Sequence, residues 1–112
     1  MEQVNEQDLE YRGGDSGVKY LFRGPVIDWG RLRMKPGETL GHHYHDRVEE
    51  TFYFLEGEPL MIVNGEKIRV RRGDAFRLEP HDNHDIVNDT DDVVDAVFIK
   101  STYDPKDKVN VE

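Results

Sequence analysis

The stretch from Gly37 to Gly57, GETLGHHYHDRVEETFYFLEG, decides the fold of this chain and carries most of its chemistry. Its second half contains the run Thr51 to Leu55, whose β-branched and aromatic residues favour a strand. Its first half contains two histidines two residues apart, His43 and His45. Residues with this spacing point to the same face of a strand. The stretch therefore predicts β-structure that presents two imidazoles side by side.

Short runs with the alternation of strands continue on both sides of this stretch, separated by turn signals. Asn64-Gly65, between two of these runs, is a strong β-hairpin signal. No segment has sustained helical spacing, so the chain is predicted to be all-β, a sandwich or a barrel. The runs are Val18 to Phe22, Val26 to Met34, Thr39 to His45, Thr51 to Leu55, Leu60 to Val63, Lys67 to Val70, Ala75 to Leu78, His84 to Val87 and Val93 to Ile99.

The length of 112 residues fits one domain. Residues 1–16 are polar and acidic, and residues 104–112 are again charged. Both segments are predicted to be tails, or arms ordered only by a partner subunit. Residues 17–103 are predicted to form the β-domain between them.

The composition excludes several classes of function. The net charge of −9 disfavours nucleic acid and anionic membrane surfaces as partners. The absence of cysteine excludes disulfides and thiolate sites. There is no apolar run long enough to span a bilayer, and the first residues do not have the pattern of a signal peptide. We therefore expect a soluble cytoplasmic protein.

His43 and His45 could chelate one metal ion if further ligands come from elsewhere in the chain. Glu49 and Glu50 open the next run and face opposite ways, so at most one of them can join the histidines. His84, which follows a proline-containing turn, is the other candidate. The alternative for the His-x-His pair alone is two exposed polar residues on a strand edge.

Two sequence motifs identify the chain as similar to the small single-domain cupins. Gly37, His43, His45, Glu50 and Gly57 have the spacing of the first cupin motif, G(X)5HXH(X)3,4E(X)6G, at every fixed position. In the second motif, G(X)5PXG(X)2H(X)3N, the matching residues are Gly73, His84 and Asn88. The resemblance extends over roughly residues 18–99.

The second motif departs from the family pattern in its turn. Pro80 lies one residue later than the pattern places it, and Asp82 stands where a glycine is then expected. The spacing from Gly73 to His84 is kept, which indicates a locally different turn that still places His84 at its motif position. A residue other than glycine is strained at positive φ, and Asp is among those that tolerate it best.

The resemblance implies a double-stranded β-helix, or jelly roll, with one divalent metal ion inside the barrel. The family's ligand positions fall on His43, His45, Glu50 and His84, and Asn88 matches a position that is usually structural. Mn, Fe, Ni and Zn are the candidate ions. The resemblance further implies a homodimer. The competing interpretation is a degenerate cupin in which these side chains only hydrogen-bond within a polar pocket.

Alternation also predicts which side chains line the pocket beside the metal: Phe52, Phe54, Met34, Ile86 and Asn88. Such a pocket suits a small molecule with one chelating polar end. The alternative is that the aromatic residues are simply core. For function, the resemblance implies a metal-dependent dioxygenase, sugar isomerase or decarboxylase. The other hypotheses are a non-catalytic module that binds a carbohydrate or an effector, and a purely structural metal.

Overall fold

The structure, a computed structural model, describes residues 1–111 and is built almost entirely of antiparallel strands. A short 3-10 helix over Glu6–Asp8 precedes them. Within the described residues no helix is long and apolar enough to cross a membrane. The strands are β1 (Gly17–Arg23), β2 (Asp28–Met34), β3 (His43–Tyr44), β4 (Glu50–Glu56), β5 (Leu60–Val63), β6 (Glu66–Arg69), β7 (Ala75–Leu78), β8 (His84–Val87), β9 (Val94–Lys100) and β10 (Val109–Asn110).

The strands form two five-stranded sheets, ordered β1-β2-β9-β4-β7 and β10-β3-β8-β5-β6. Most neighbours within a sheet are distant in sequence, as in a jelly roll, where the chain passes back and forth between two packed sheets. The predicted all-β double-stranded β-helix is confirmed.

The core lies between the sheets and is filled by the inward-facing residues of each strand. On β9, Val94, Ala96 and Phe98 alternate with exposed or half-buried residues and are themselves fully buried. Phe52 and Phe54 do the same on β4. These stripes meet Leu32, Met34, Met61, Leu78 and Ile86 from the other strands, and Val70 directly after β6. Burial of this apolar surface is the main force that holds the sheets together.

Glycines and asparagines shape the turns at the positions where the sequence predicts turns. Asn64 and Gly65 both have positive φ, 50° and 83°, in the hairpin between β5 and β6, as a type I′ turn requires. Gly57 has φ 88°, and a Cβ there would lie 2.8 Å from Cγ2 of Val94. The glycine that closes the first motif is therefore fixed by both conformation and close packing.

The turn before β8 differs from the sequence expectation. The residue with positive φ is His81, at 74°, and not Asp82. Counted from Gly73, position 81 is the place of the motif's glycine, so His81 adopts the backbone conformation that the glycine would have. The side chain of Asp82 instead accepts a hydrogen bond from the backbone N–H of Glu79 at 2.9 Å, which stabilises the turn.

Two predicted strands are shorter than the sequence suggests. The run from Val26 begins its strand only at Asp28, because Gly24 and Pro25 form the preceding turn. The run from Thr39 to His45 retains the strand His43–Tyr44 and an isolated bridge between Thr39 and Val87. Gly41, with φ 102°, interrupts this run.

The two terminal segments, predicted as tails or as arms ordered only by a partner, pack against their own chain. In the segment 1–16, Glu6 pairs with Arg31 at 3.1 Å, and Ser16 is buried. In the segment 104–111, β10 pairs with β3 and completes the second sheet. For the C-terminal segment the reason lies in backbone N–H groups of the loop between β3 and β4, which need acceptors and find them in the Asp107 carboxylate.

Candidate metal centre

Four buried side chains converge between the sheets. His43 lies on β3 opposite His84 at the start of β8, and the two are direct register partners. His45 follows β3, and Glu50 opens β4. One ligand atom from each of the four lies within 4.8 Å of the others, and each residue is at most 5% exposed. The cluster includes Glu50 rather than Glu49. The group could therefore hold a metal ion.

Backbone carbonyls fix the orientation of all three imidazoles. His43 Nδ1 lies 2.7 Å from the carbonyl oxygen of Gly41, and His84 Nδ1 lies 2.9 Å from that of Asp82. His45 Nδ1 contacts the carbonyl oxygen of Asp107. A carbonyl only accepts hydrogen bonds, so each Nδ1 carries the proton and Nε2 has a free lone pair in the neutral ring. Metal-binding histidines are commonly oriented by such a bond from the second ring nitrogen.

The donor set fits a divalent cation. Glu50 Oε1 lies 3.3 Å from His45 Nε2 and 3.5 Å from His84 Nε2. Among the described residues, His84 Nε2 is buried without a hydrogen-bond partner, and a buried polar atom of this kind requires an explanation. A carboxylate oxygen facing imidazole lone pairs is repulsive unless a proton or a cation lies between them.

The pKa values at the centre depend on burial and on Glu50. Burial, followed by the charges of His84 and Lys108, lowers the pKa of His43 to about 4. Burial alone would lower the pKa of His45, but the hydrogen bonds to Glu50 and to the Asp107 carbonyl raise it. Burial alone would raise the pKa of Glu50, but its two histidine neighbours and Lys100 lower it to about 2. Near neutral pH the centre therefore has a carboxylate and at least one neutral imidazole, His43.

A cavity of about 420 Å³ opens onto His43, His45 and Glu50. This volume is in the usual range for small-molecule sites. Of the predicted pocket residues, Met34 and Phe52 line it. Phe54, Ile86 and Asn88 are also buried but do not line it.

Two of the three predicted pocket residues outside the cavity make contacts that stabilise the fold. Phe54 packs edge-on against Phe76, with ring centroids 6.0 Å apart. Asn88 donates hydrogen bonds to the carbonyl oxygens of Met34 and Asp92, at 3.1 Å and 2.8 Å. Alternation gives the buried face of a strand, but the buried face includes both the cavity wall and the core beyond it.

Tyr20 and Lys100 are among the polar residues of the cavity wall that sequence reasoning missed. Lys100 is the direct cross-strand partner of Glu50 and donates a hydrogen bond to Tyr20 Oη at 2.9 Å. The signal was present in the alternation of β9, because Lys100 continues the inward stripe of Ala96 and Phe98 by the same step of two residues.

The C-terminal segment was also missed as part of the site. Asp107 contacts His45, and Lys108 lines the cavity. No local pattern in these residues indicates this role, since it depends on β10 pairing with β3. Of the two arginines on β2, Arg33 lines the cavity, whereas Arg31 is paired with Glu6.

Comparison with known proteins agrees with this architecture. Residues 30–100 match the family model described as the cupin domain. A double-stranded β-helix protein from Klebsiella pneumoniae aligns over 100% of this chain and 98% of its own, with a TM-score of 0.83 and 15% identity. At that identity the likeness is evidence for the fold alone.

Two curated relatives match part of the chain. The tetracenomycin polyketide synthase protein TcmJ of Streptomyces glaucescens is 31% identical over 77 residues, which are 69% of this chain and 52% of that protein. The oxalate-binding protein of Thermotoga maritima is 30% identical over 60 residues, which are 54% of this chain and 50% of that protein. The chain thus spans about half the length of these relatives.

Proposed function

The chain belongs to the cupin family, and from this premise we propose that it holds one divalent metal ion in its barrel and binds a small polar metabolite beside that ion. The proposed ligands are His43, His45, Glu50 and His84. The observation that carries the proposal is the set of three carbonyl contacts at Nδ1, which leaves three Nε2 atoms available next to one carboxylate.

The donor chemistry sets the range of metal ions. Imidazole suits Fe, Ni and Zn, and the carboxylate suits Mn as well. Four protein ligands leave coordination positions open on a six-coordinate ion, and an open position distinguishes catalytic sites from closed structural ones. A divalent ion at this place supplies Lewis acidity toward a chelating carbonyl, hydroxyl or carboxylate group.

The cavity walls supply binding and orientation. Leu32, Met34, Phe52 and Phe98 make one part of the wall apolar, which limits access of water to the centre. Tyr20 and Lys100 form a hydrogen-bonded polar pair on the same wall. A metabolite with one metal-chelating end fits this cavity. The rest of the molecule would contact the apolar wall where it is apolar and the Tyr20–Lys100 pair where it is polar. Dioxygenase, sugar isomerase and decarboxylase chemistry all use such a ligand.

A non-catalytic binding module is the second candidate function, and the state of the wall carboxylates favours it. Within residues 1–111, Glu38, Asp104 and Asp107 on the cavity wall each accept hydrogen bonds from other groups of the chain. None of them is a free general base. The relative named as an oxalate-binding protein is a precedent for binding.

The test of the proposed function is metal uptake by matched variants. Purified protein is incubated separately with Mn²⁺, Fe²⁺, Ni²⁺ or Zn²⁺ and dialysed, and its metal content is then measured. We expect one ion per chain with at least one of these metals, and loss of that ion in His43→Ala. His42→Ala is the control, since His42 is the adjacent imidazole outside the cluster. Uptake of no metal, or equal uptake by both variants, would refute the proposal.

Turnover separates the two candidate functions. The metal-loaded protein is incubated with oxalate, with an aldose and with a catechol in air, and NMR and oxygen uptake are monitored. Conversion that depends on His43 favours an enzyme. Saturable binding of one of these compounds without conversion favours the binding module. The homodimer stays a prediction, supported by the exposed apolar residues Val26 and Ile27 between β1 and β2.

A further inference from the structure

The cavity does not share the acidic excess of the whole chain. The chain has a net charge of −9, yet among the described residues five cationic and four anionic ones line the cavity. What such a cavity attracts depends on which of its charged groups are free to bind a ligand. The cationic residues are Arg12, Arg23, Arg33, Lys100 and Lys108, and the anionic ones are Glu38, Glu50, Asp104 and Asp107.

The carboxylates of the wall are already engaged. Glu38 accepts hydrogen bonds from the Ser16 hydroxyl and from the backbone N–H of Lys35, at 3.0 Å and 2.7 Å. Asp104 pairs with Arg47 at 2.7 Å. Asp107 accepts three backbone N–H bonds, and Glu50 faces the histidines. These groups do not neutralise the cations of the cavity by direct contact.

The cations, in contrast, are mostly without partners. In the part of the chain that the structure describes, Arg23 pairs with Asp28 at 3.4 Å, whereas Arg12, Arg33, Lys100 and Lys108 form no ion pair. The hydrogen bond of the Lys100 ammonium goes to a neutral hydroxyl, that of Tyr20. Lys100 is half-buried, and the carboxylate opposite it on the neighbouring strand is Glu50, a proposed metal ligand. With an ion bound to Glu50, the Lys100 ammonium would lack a free counter-charge, which is costly for a buried cation.

Two of these ammonium groups are near the metal ligands. Lys100 is opposite Glu50 on the neighbouring strand, so both side chains are on one face of the sheet. Lys108 is on the C-terminal segment, next to the strand pair that carries His43. Burial, followed by the charges of Lys100 and Arg12, lowers the pKa of Lys108. The ammonium groups of Lys100 and Lys108 thus repel each other, and an anion bound between them would relieve that repulsion.

We propose that Lys100 and Lys108 form an oxyanion subsite, so that the metabolite of this cavity is a small organic acid with a chelating end for the metal and a second acidic group, carboxylate or phosphate, for the two lysines. The inference rests on the proposed function and narrows it to an anionic ligand class. Ammonium groups act as point charges and accept either kind of oxyanion. The shared feature is therefore negative charge next to the metal.

The test uses three compounds with the same chelating α-hydroxycarboxylate end. Glycerate has that end alone, malate adds a carboxylate, and 3-phosphoglycerate adds a phosphate. Calorimetric titration of the metal-loaded protein should show malate or 3-phosphoglycerate binding at least about tenfold more tightly than glycerate, as expected for one charge-assisted hydrogen bond. Which of the two binds more tightly identifies the acidic group. Equal affinity for all three compounds would overturn the proposal.

Variants assign the effect to the two lysines. Lys108→Met and the double variant Lys100→Met with Lys108→Met should progressively lose the preference for the second acidic group, measured in each variant as the affinity for malate or 3-phosphoglycerate divided by the affinity for glycerate. Lys100→Arg, which keeps the charge, should keep the preference. Lys106→Met is the matched control, since Lys106 is exposed on the same segment outside the cavity. A preference that persists in the double variant would overturn the proposal.

Metal content and the metal-free protein separate the failure of this inference from that of the proposed function. If the ion binds but the acidic group adds no affinity, the oxyanion subsite is refuted and the metal centre stands. If no ion binds, the proposed function is refuted, and malate is titrated into the metal-free protein. Malate binding that requires Lys100 and Lys108 would then support the subsite, and its absence would refute the subsite as well.

Discussion

The backbone carbonyl of Asp107 contacts Nδ1 of His45 across sixty-two positions of sequence. The carboxylate of the same residue accepts hydrogen bonds from the backbone N–H groups of Asp46, Arg47 and Val48, each at 2.8 Å. Asp107 thus orients the candidate ligand His45 and accepts the backbone hydrogen bonds of the loop that follows His45. The segment is therefore a structural part of the candidate metal centre.

Replacing Asp107 by Ala should weaken both the fold and the metal centre. The change leaves three buried or half-buried N–H groups without their acceptor, and a hydrogen bond to a charged group contributes ~1.5–3 kcal/mol. We expect the free energy of unfolding to fall by roughly 3 kcal/mol and metal affinity to fall by about tenfold, because the orientation of His45 is relaxed. Urea denaturation and competition with a metal indicator measure the two effects.

Asp104→Asn is the matched control for this prediction. Asp104 is three residues away and pairs with the exposed Arg47, and surface pairs of this kind contribute little. Its unfolding and metal affinity should remain close to those of the unaltered protein. Equal effects of the two substitutions would show that the Asp107 contacts do not support the centre.

Acid should destabilise the protein partly through Asp107. Burial alone would raise the pKa of this carboxyl, but the three N–H donors and Arg47 outweigh it and lower the pKa below 3.8. A carboxyl with a lowered folded-state pKa contributes stability above its unfolded value, and that contribution is lost as pH falls below 3.8. The free energy of unfolding should therefore decrease less steeply below pH 3.8 in Asp107→Asn than in the unaltered protein. Parallel curves would contradict the assignment.

Gly57→Ala should destabilise the barrel more than Gly37→Ala does. Both glycines have positive φ, 88° and 86°. A Cβ at Gly57 would lie 2.8 Å from Val94, whereas a Cβ at Gly37 would have no atom within 4 Å among the described residues beyond its chain neighbours. We expect a loss of roughly 3 kcal/mol at Gly57 and about 1–2 kcal/mol at Gly37. Thermal or urea unfolding measures the difference, and equal losses would show that packing against β9 contributes nothing.

His81→Gly should stabilise the turn before β8. His81 has φ 74°, which costs a residue with a side chain about 1–2 kcal/mol, and the flexibility of glycine in the unfolded chain offsets part of the gain. We expect a net gain of up to ~1 kcal/mol in the free energy of unfolding. Asp82→Gly should instead destabilise, because it removes the acceptor for the Glu79 N–H. If Asp82→Gly raised the free energy of unfolding and His81→Gly lowered it, position 82 would be the place of the motif's glycine.

Much of the fold could be predicted from the sequence because it depends on local patterns. Alternation located the strands, and Asn64-Gly65 located the hairpin. The spacing of the first motif selected Glu50 over Glu49, and the cluster contains Glu50. These features depend on the step of two residues along a strand, which a sequence displays directly.

The parts that escaped prediction depend on contacts between distant segments. Whether a buried residue such as Phe54 faces the cavity or the core depends on its depth along the barrel, which alternation does not give. The role of Asp107 depends on β10 adding to the second sheet. Alternation along β9 puts Lys100 on the inward face, but a charged residue at the end of an apolar stripe is easily assigned to solvent.

The most direct test of the account is the location of the metal ion itself. Crystals of the metal-loaded protein are measured at wavelengths on either side of the absorption edge of the bound metal, and an anomalous difference map is calculated. We predict a single strong peak between His43, His45, Glu50 and His84, bonded to the three Nε2 atoms and the carboxylate. A map without a peak there, from protein that contains the metal, would contradict the central claim.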